Sequence, residues 1–160
     1  MAASTIKKAV VRRFDRPNLA GYVNPLSYLQ PEGLELLSAE GKVATLPFDE
    51  IKSVLFVRDF DETGEAERRV FHTRPKMAGL WVSFRFRDGD VMEGVMPNNL
   101  LHLEHYGFTV IPPDPNSPNQ RVFIPRVSVQ TVEVLGVVGS PLRRRRPKPA
   151  AKEQIGLFDE

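Results

Sequence analysis

Apolar residues follow the same order in two separate stretches of the chain. One stretch covers residues 42–57, KVATLPFDEIKSVLFV, and the other covers residues 121–135, RVFIPRVSVQTVEVL. The two align without a gap when Pro47 is placed over Pro125, and apolar positions then coincide: Leu46 with Ile124, Ile51 with Val129, Val54 with Val132, and Phe56 with Val134. In each stretch a short apolar run ends at the proline, which has no N–H to donate and therefore ends a strand. About one helical turn then precedes a longer run rich in β-branched residues, so the pattern predicts the same two strands twice.

The segments before each stretch predict three further strands per copy. In the first copy the five predicted strands cover residues 10–14, 19–24, 33–37, 43–46 and 51–58. In the second copy, Val82, Phe84 and Phe86 alternate with polar residues, which is the period of a half-buried strand. Asp88-Gly89 then predicts a tight hairpin. The remaining strands are predicted at 90–96, at 107–111 and on both sides of Pro125.

Two glycines occupy corresponding places, Gly21 in the second strand of the first copy and Gly94 in the second strand of the other. A glycine inside a strand indicates a bend or a close approach of another backbone. Residues 70–73, between the copies, are compatible with an extra strand or with extended chain.

The strands together predict an all-β protein of two small five-stranded units in tandem. The first unit covers residues 6–58, a polar linker covers 59–78, and the second unit covers 79–138. The alternation predicts that the second core contains Phe84, Val95, Val110, Ile124, Val132 and Val134. Residues 139–160 form a basic tail that we expect to be disordered, because prolines, like charges and few apolar groups cannot offset the entropy of ordering.

Composition narrows the class of protein. The chain has 160 residues, 41% of them apolar, and no cysteine, so disulfides and cysteine-based zinc sites are excluded. The absence of cysteine fits a reducing compartment such as the cytoplasm. No apolar run approaches the roughly 20 residues that a membrane-spanning helix needs, and the basic N-terminus lacks the apolar segment of a signal peptide.

Positive charge is concentrated in the tail. Removing the six basic and three acidic residues of positions 140–160 from the chain totals of 22 and 20 leaves 16 basic and 17 acidic residues. The rest of the chain therefore has a net charge of −1. Nonspecific attraction to a polyanion is expected mainly from the tail cluster of Arg143, Arg144, Arg145, Arg146 and Lys148. A nuclear-import signal or a solubilising tail are the alternatives for this cluster.

Five short strands, a glycine in the second and a tight turn between the fourth and fifth resemble the Sm-like small β-barrel. The segment FRDGDVMEGVM resembles the first hairpin of that family, GFTVI resembles its third strand, and residues 129–132 resemble the last strand of the Hfq family of RNA chaperones. The resemblance implies that strand four of one unit pairs with strand five of the next. A tandem protein can make this pairing within one chain, and then remain a monomer or trimerise into a pseudo-hexamer.

The resemblance also implies a position for RNA contact, where Hfq proteins carry a Lys-His pair before the last strand. Arg126 stands at the lysine position and Val127 at the histidine position, while the first copy has Phe48 and Asp49 there. The chain therefore keeps one basic residue, Arg126, in one copy. Four aromatic residues are candidates for stacking on bases, although closing a small core is the more common role of such residues: Tyr22, Tyr28, Trp81 and Tyr106.

The most specific functional pattern lies near the end of the sequence. Gln154-Ile155-Gly156-Leu157-Phe158 resembles the bacterial sliding-clamp-binding pentapeptide, which has a glutamine, two variable positions, a leucine and a phenylalanine. The resemblance implies that Leu157 and Phe158 enter an apolar pocket while Gln154 hydrogen-bonds at its rim, with Ile155 beside them. Gly156 stands where serine or aspartate is usual, which predicts weaker binding. The alternative is a fortuitous apolar tip.

Catalytic signatures are not evident in the sequence. It has no nucleophile elbow, phosphate-binding glycine loop or paired carboxylates in a plausible cleft. His102, Glu104 and His105 could be taken for a metal site, but a loop before the third strand is the simpler interpretation. We therefore expect a protein that is not an enzyme and has no cofactor or metal. The expected function is an adaptor that binds a partner, the DNA sliding clamp, near nucleic acid. An RNA-binding regulator and a ring-forming scaffold are the alternatives.

Overall fold

A computed structural model describes residues 6–60, 70–99, 101, 104–113 and 121–139. Within these ranges the chain is all-β, which confirms the predicted class. None of these residues forms a helix long and apolar enough to span a membrane. The strands are β1 (Lys7–Arg13), β2 (Leu19–Val23), β3 (Leu29–Gln30), β4 (Gly33–Leu37), β5 (Val43–Leu46), β6 (Ile51–Val57), β7 (Gly79–Phe86), β8 (Val91–Met96), β9 (Gly107–Val110), β10 (Arg121–Pro125) and β11 (Val129–Val138).

The first unit (β1–β6) and the second unit (β7–β11) have the same strand order. In the first unit, β1 pairs with β2 and β6, and β4 pairs with β2 and β5. In the second unit, β7 pairs with β8 and β11, β9 pairs with β10, and the bridge between Val95 and Ile111 joins β8 to the end of β9. All of these pairings are antiparallel. The predicted internal repeat is therefore a repeat of topology, with β6 equivalent to β11 and β5 equivalent to β10.

The two prolines that align in the sequence have the same backbone conformation. Pro47 has φ −60° and ψ 141°, and Pro125 has φ −61° and ψ 141°. Each precedes a single 3-10 turn, Phe48–Glu50 after Pro47 and Arg126–Ser128 after Pro125. The predicted helical turn is thus present in both copies, and it redirects the chain from the fourth strand of its unit into the last.

Glycine is required where one strand of each unit passes close to the next. A Cβ atom at Gly21 would lie 2.8 Å from the carbonyl oxygen of Leu37, and a Cβ at Gly94 would lie 2.7 Å from Cγ2 of Val110. Both distances are shorter than a side chain tolerates. The glycines therefore mark a close approach, as predicted for their strands, and they allow each unit to curl.

The two units are joined by strand pairing. Strand β10 of the second unit pairs antiparallel with β6 of the first, with Arg121 opposite Phe56, Val122 opposite Leu55 and Phe123 opposite Val54. The chain thus joins strand four of one unit to strand five of the other, as expected for a tandem protein. An eight-stranded curled sheet results, beside the three-stranded sheet of β11, β7 and β8.

Each unit has a hydrophobic core, and side chains cross between them. Phe123, from the second unit, is fully buried in the first core, where its ring lies edge-on to Tyr28 at 5.9 Å. Leu55, from the first unit, packs against the second core. This exchange follows from the pairing of β6 with β10, because adjacent residues of a strand point to opposite faces.

Two predicted core positions are wrong. Val132 and Val134 retain 39% and 56% of their accessible surface. They lie on β11, which pairs only with β7 among the described residues, so the strand is covered along one edge. Phe84, Val95, Val110 and Ile124 are buried as predicted.

The strand boundaries differ from the predictions by a few residues. β1 begins at Lys7 rather than at Val10, and β11 runs on to Val138. The two-residue strand β3 was not predicted, since two residues are too few to show a period. The described residues 70–73 form no strand, and the chain bends at positions 70, 72 and 73.

Candidate functional site

Polar side chains connect the two units at their junction, outside the cores. Lys52 of β6 reaches the hairpin between β7 and β8, where its Nζ donates to Oδ2 of Asp88 at 2.8 Å and to Oδ2 of Asp90 at 2.5 Å. The same ammonium lies 5.2 Å from the ring centre of Phe86. A lysine of the first unit therefore holds two carboxylates of the second.

Arg87, in the same hairpin, also contacts the first unit. Its Nη2 donates to the carbonyl oxygen of Asp49 at 2.5 Å, and its guanidinium lies 4.0 Å from the ring centre of Phe14. Ser128 completes the junction, because its one hydroxyl proton is shared between the carbonyl oxygen of Pro125, 2.9 Å from Oγ, and that of Lys52, 3.2 Å from Oγ. Together these groups connect the two units at this junction through side-chain contacts.

The pKa of Asp88 lies below its usual value. Partial desolvation raises it, but the hydrogen bond from Lys52, the hydrogen bond from the backbone N–H of Asp90 and the lysine charge together outweigh that effect. The folded protein therefore binds this proton less readily than the unfolded chain does. The carboxylate stabilises the fold above its unfolded pKa of about 4 and loses that effect as the pH falls through the lower folded pKa.

We expect Asp88→Asn to flatten the acid side of the stability profile. The melting temperature of the wild type should fall as the pH drops from about 5 to about 3, and the variant should lose less over that range because one shifted carboxylate is gone. Asn keeps the shape of the side chain, so a change at neutral pH measures the ion pair itself. Identical profiles for the two proteins would contradict a role for this pair.

Aromatic rings of the two units meet beside the proline turns. Phe48 of the first unit stacks on Tyr106 of the second, with ring centres 5.1 Å apart. Arg126 is exposed, with its guanidinium 5.3 Å from the ring centre of Phe108 and its backbone N–H donating to the carbonyl oxygen of Tyr106. Of the six residues predicted to contact nucleic acid, Arg126 is thus placed on the surface beside an aromatic cluster.

The other aromatic candidates are engaged within the protein. Trp81 is half-buried, donates from Nε1 to Oε1 of Glu93 at 3.0 Å, and lies edge-on to Phe71. Tyr22 lies edge-on to Phe60. Tyr28 is buried, and desolvation together with the Glu104 carboxylate raises its pKa. These contacts favour packing roles over stacking on bases.

Two cavities occupy equivalent places in the units. One, of about 260 Å³, includes Val23, Glu35 and Val43 in its wall, and the other, of about 370 Å³, includes Met96 and Arg121. Val43 and Arg121 are equivalent positions of the repeat, so the fold itself produces both openings. Their walls differ in charge and share no polar arrangement that would define one ligand.

The exposed edge of β11 is a feature that the sequence pattern missed. Four of its apolar side chains are exposed, and the first two of them were predicted to be in the core: Val132, Val134, Leu135 and Val137. The signal that could have identified them is the repeat itself, because an end copy in an array lacks the neighbour that covers the internal one.

The remaining predicted site residues lie outside the described residues. These are the basic residues Arg143, Arg144, Arg145, Arg146 and Lys148, and the terminal residues Gln154, Ile155, Leu157 and Phe158. His102 is outside as well, while Glu104 and His105 are described. Among the described residues, no group of three or more His, Cys, Asp or Glu side chains is placed to hold a metal ion.

Comparison with known proteins identifies one family whose model matches this chain. A family model described as a family of unknown function, DUF6982, matches residues 5–136, which include both units. No curated protein and no solved structure matches the chain.

Proposed function

The chain therefore belongs to the DUF6982 family, and we propose that it is a non-enzymatic adaptor of the bacterial cytoplasm. In this proposal two Sm-like units form a paired platform, and the tail that follows β11 carries a peptide that binds the DNA sliding clamp near nucleic acid. The proposal rests on the terminal pattern Gln154-Ile155-Gly156-Leu157-Phe158.

The chemistry of this pentapeptide fits a shallow apolar pocket. Leu157 and Phe158 are adjacent large apolar side chains in a segment otherwise rich in charge, and Gln154 offers both a donor and an acceptor for the pocket rim. Burying two such side chains contributes roughly 3–6 kcal/mol at about 1.5–3 kcal/mol each. A micromolar complex needs about 8 kcal/mol, so hydrogen bonds from Gln154 and contacts of neighbouring residues must supply the rest and offset the cost of ordering.

The platform supports an adaptor role because its units are joined by several independent contacts. The pairing of β6 with β10, the crossing of Phe123 and Leu55 between cores, and the bonds of Lys52 to the hairpin all connect them. A peptide attached to such a body can hold it at a partner without refolding either unit.

The basic cluster supplies a second interaction in this proposal. Arg143–Arg146 and Lys148 stand between the platform and the pentapeptide in the sequence, whereas residues 1–139 carry a net charge of −1. Arginine and lysine release counterions when they contact phosphate. The cluster would then rest on DNA that passes through or beside the clamp, with Arg126 as a further contact from the platform.

Clamp binding is tested with the full-length protein on an immobilised bacterial sliding clamp. We expect micromolar binding, and we expect Leu157→Ala with Phe158→Ala to remove it because both apolar anchors are lost. Glu153→Ala with Asp159→Ala is the matched control, since it alters two flanking residues outside the pattern and should preserve binding. The melting temperature of all three proteins should agree.

Two outcomes would contradict the proposal. One is the absence of binding well above micromolar concentration, without competition against a known clamp peptide. The other is equal binding by the wild type and by the protein that lacks both anchors.

An RNA-binding regulator is the second candidate, and one observation favours it. Arg126 is exposed beside Phe108 and next to the stacked pair of Phe48 and Tyr106, an arrangement of cation and rings that suits single-stranded nucleic acid. Purification from a bacterial lysate with and without nuclease separates the two candidates. Clamp recovery that survives nuclease supports the adaptor, and co-purifying RNA that depends on Arg126 supports the regulator.

A further inference from the structure

The most exposed large apolar side chains of the described residues are two leucines in corresponding loops. Leu26, in the loop after β2, retains 85% of its accessible surface, and Leu101, in the loop after β8, retains 89%. β2 and β8 are the second strands of their units. A single exposed leucine needs no explanation, but the same exposure at corresponding places in both units indicates a contact surface.

A hydrogen-bonded turn holds each of these leucines at the surface. The backbone N–H of Leu26 donates to Oδ1 of Asn24 at 2.9 Å, and the backbone N–H of Leu101 donates to Oδ1 of Asn99 at 2.9 Å. An asparagine that accepts from the backbone two residues further on forms an Asx turn, which fixes the local direction of the chain. The two loops therefore present their leucines in the same way before any partner binds.

The strand registers place both loops at the same end of the molecule. Five pairs of neighbouring residues lead across the strands from one loop to the other: Val23 with Lys7, Lys8 with Val57, Phe56 with Arg121, Val122 with Val110, and Ile111 with Val95. The ends of β2 and β8, where the loops begin, therefore lie on the same side. Five strand spacings of about 4.8 Å separate them, roughly 24 Å along the curled strands.

Basic side chains stand at the strand ends between the two leucines. Lys7 is the first residue of β1, Arg58 follows β6 and Arg121 is the first residue of β10, and all three are exposed. Asp59 is the one acidic residue described at these strand ends. The surface thus has an apolar tip on either side of a basic row. This surface, formed by the three basic residues with Leu26 and Leu101, is the leucine end of the molecule.

The chemistry of the leucine end fits an anionic bilayer surface. Separate aliphatic tips can enter the boundary between headgroups and acyl chains, while lysine and arginine beside them contact anionic headgroups. Nucleic acid offers negative charge as well, but the bases of a single strand stack on aromatic rings rather than on leucine. We propose that the leucine end binds the surface of a membrane rich in anionic lipid, with Leu26 and Leu101 inserted. Such a contact is peripheral and needs no spanning helix, and it does not depend on clamp binding.

The C-terminal tail leaves the platform at the same end. Val138 of β11 lies opposite Gly79, which precedes Leu80, and Leu80 lies opposite Met96 at the end of β8. The cluster Arg143–Arg146 begins four residues after position 139 in the sequence, within at most about 14 Å of extended chain. Stable attachment to a membrane surface generally needs two signals, and the cluster can supply the second beside the leucines.

Vesicle flotation with the full-length, nuclease-treated protein tests the proposal. The wild type should float with phosphatidylglycerol vesicles and stay unbound with phosphatidylcholine vesicles. Leu26→Ala and Leu101→Ala should each weaken binding about fivefold, and the double variant at least about twentyfold, because an inserted apolar side chain is lost without a change in charge.

Val127→Ala is the matched control for these variants. Val127 is also apolar and 53% exposed, but it lies in the turn after Pro125, at the opposite end of β10. This variant should bind vesicles like the wild type. The melting temperatures of all variants should agree, since none of the three side chains is in a core.

Tryptophan fluorescence reports insertion directly. Leu26→Trp should show a blue-shifted emission with anionic vesicles and quenching by lipids brominated on their acyl chains. Val127→Trp should show neither change. Trp81 is the one native tryptophan, so the wild type gives the baseline for both variants.

Three outcomes would overturn the proposal. The first is a wild type that leaves anionic vesicles unbound at low salt. The second is a double leucine variant that binds as tightly as the wild type, because charge alone would then account for adsorption. The third is leucine-dependent binding of single-stranded nucleic acid without vesicle binding, which would assign the same surface to nucleic acid.

Discussion

Val54→Asp should unfold the protein, whereas Val132→Asp, at the equivalent position of the second copy, should leave it folded. Val54 is fully buried on β6, between Val11 of β1 and Phe123 of β10. A carboxylate there has no partner and cannot reach water, so we expect a loss above about 4 kcal/mol. That loss is comparable with the whole stability of a small domain, about 5–15 kcal/mol.

Val132 has a different environment despite its equivalent place in the sequence. It lies on an edge strand with 39% of its surface exposed, so an aspartate there can hydrate. We expect a cost of about 1 kcal/mol, within the usual range for single substitutions. Urea denaturation of both variants at low protein concentration measures the two values.

Val54→Thr serves as the control for the shape of the side chain. Threonine has nearly the same volume as valine, so a moderate loss for Val54→Thr and a large loss for Val54→Asp would assign the effect to charge. Equal losses for Val54→Asp and Val132→Asp would contradict the edge position of β11.

These two valines show where prediction from sequence stopped. Both stand in strands rich in β-branched residues, at the same distance from a proline, and alternation indicates only which face of its own strand a residue occupies. Whether a second strand covers the other edge depends on chain segments far away in sequence. The predicted core was therefore right for Phe84 and Ile124 and wrong for Val132 and Val134.

Features that depend on a few neighbouring residues were predictable. The turn at Asp88-Gly89, the 3-10 turns after Pro47 and Pro125 and the close approach at Gly94 each follow from local chemistry. The contact of Lys52 with Asp88 and Asp90 was not predicted, because a pattern of single residues does not indicate which charges meet across a junction. The sequence did contain one indication of the junction between the cores. The second copy has the apolar Phe123 at the position where the first copy has the polar Thr45.

The candidate site also has one part that local sequence could indicate and one part that required the fold. The terminal pentapeptide could be proposed from sequence because such a peptide is recognised by its own residue order, whatever the fold that carries it. The surface formed by Arg126, Phe48 and Tyr106 required the fold, since it combines the turns of two units. Sequence alone placed Arg126 at a candidate position and did not identify the stacked rings beside it.

Phe123→Ala should destabilise the first unit, although Phe123 belongs to the second. Its ring is fully buried in the first core and contacts Tyr28, which in turn lies edge-on to Phe56. Truncating a buried phenylalanine costs about 3–5 kcal/mol through lost burial and the cavity left behind. Chemical denaturation should show that loss, and hydrogen exchange should show faster exchange at the amides of β6 and at Tyr28.

Thr45→Ala is the comparison that the repeat provides for this prediction. Thr45 occupies the position equivalent to Phe123 on β5, but it is exposed in the single molecule, so its truncation should cost less than about 1 kcal/mol, as at most surface positions. The difference between the two variants measures how much one side chain contributes when it crosses from one unit into the core of the other. If Phe123→Ala costs no more than Thr45→Ala, or if faster exchange is confined to β9 and β10, the units do not share their cores, and their junction depends on backbone pairing and the bonds of Lys52 and Arg87.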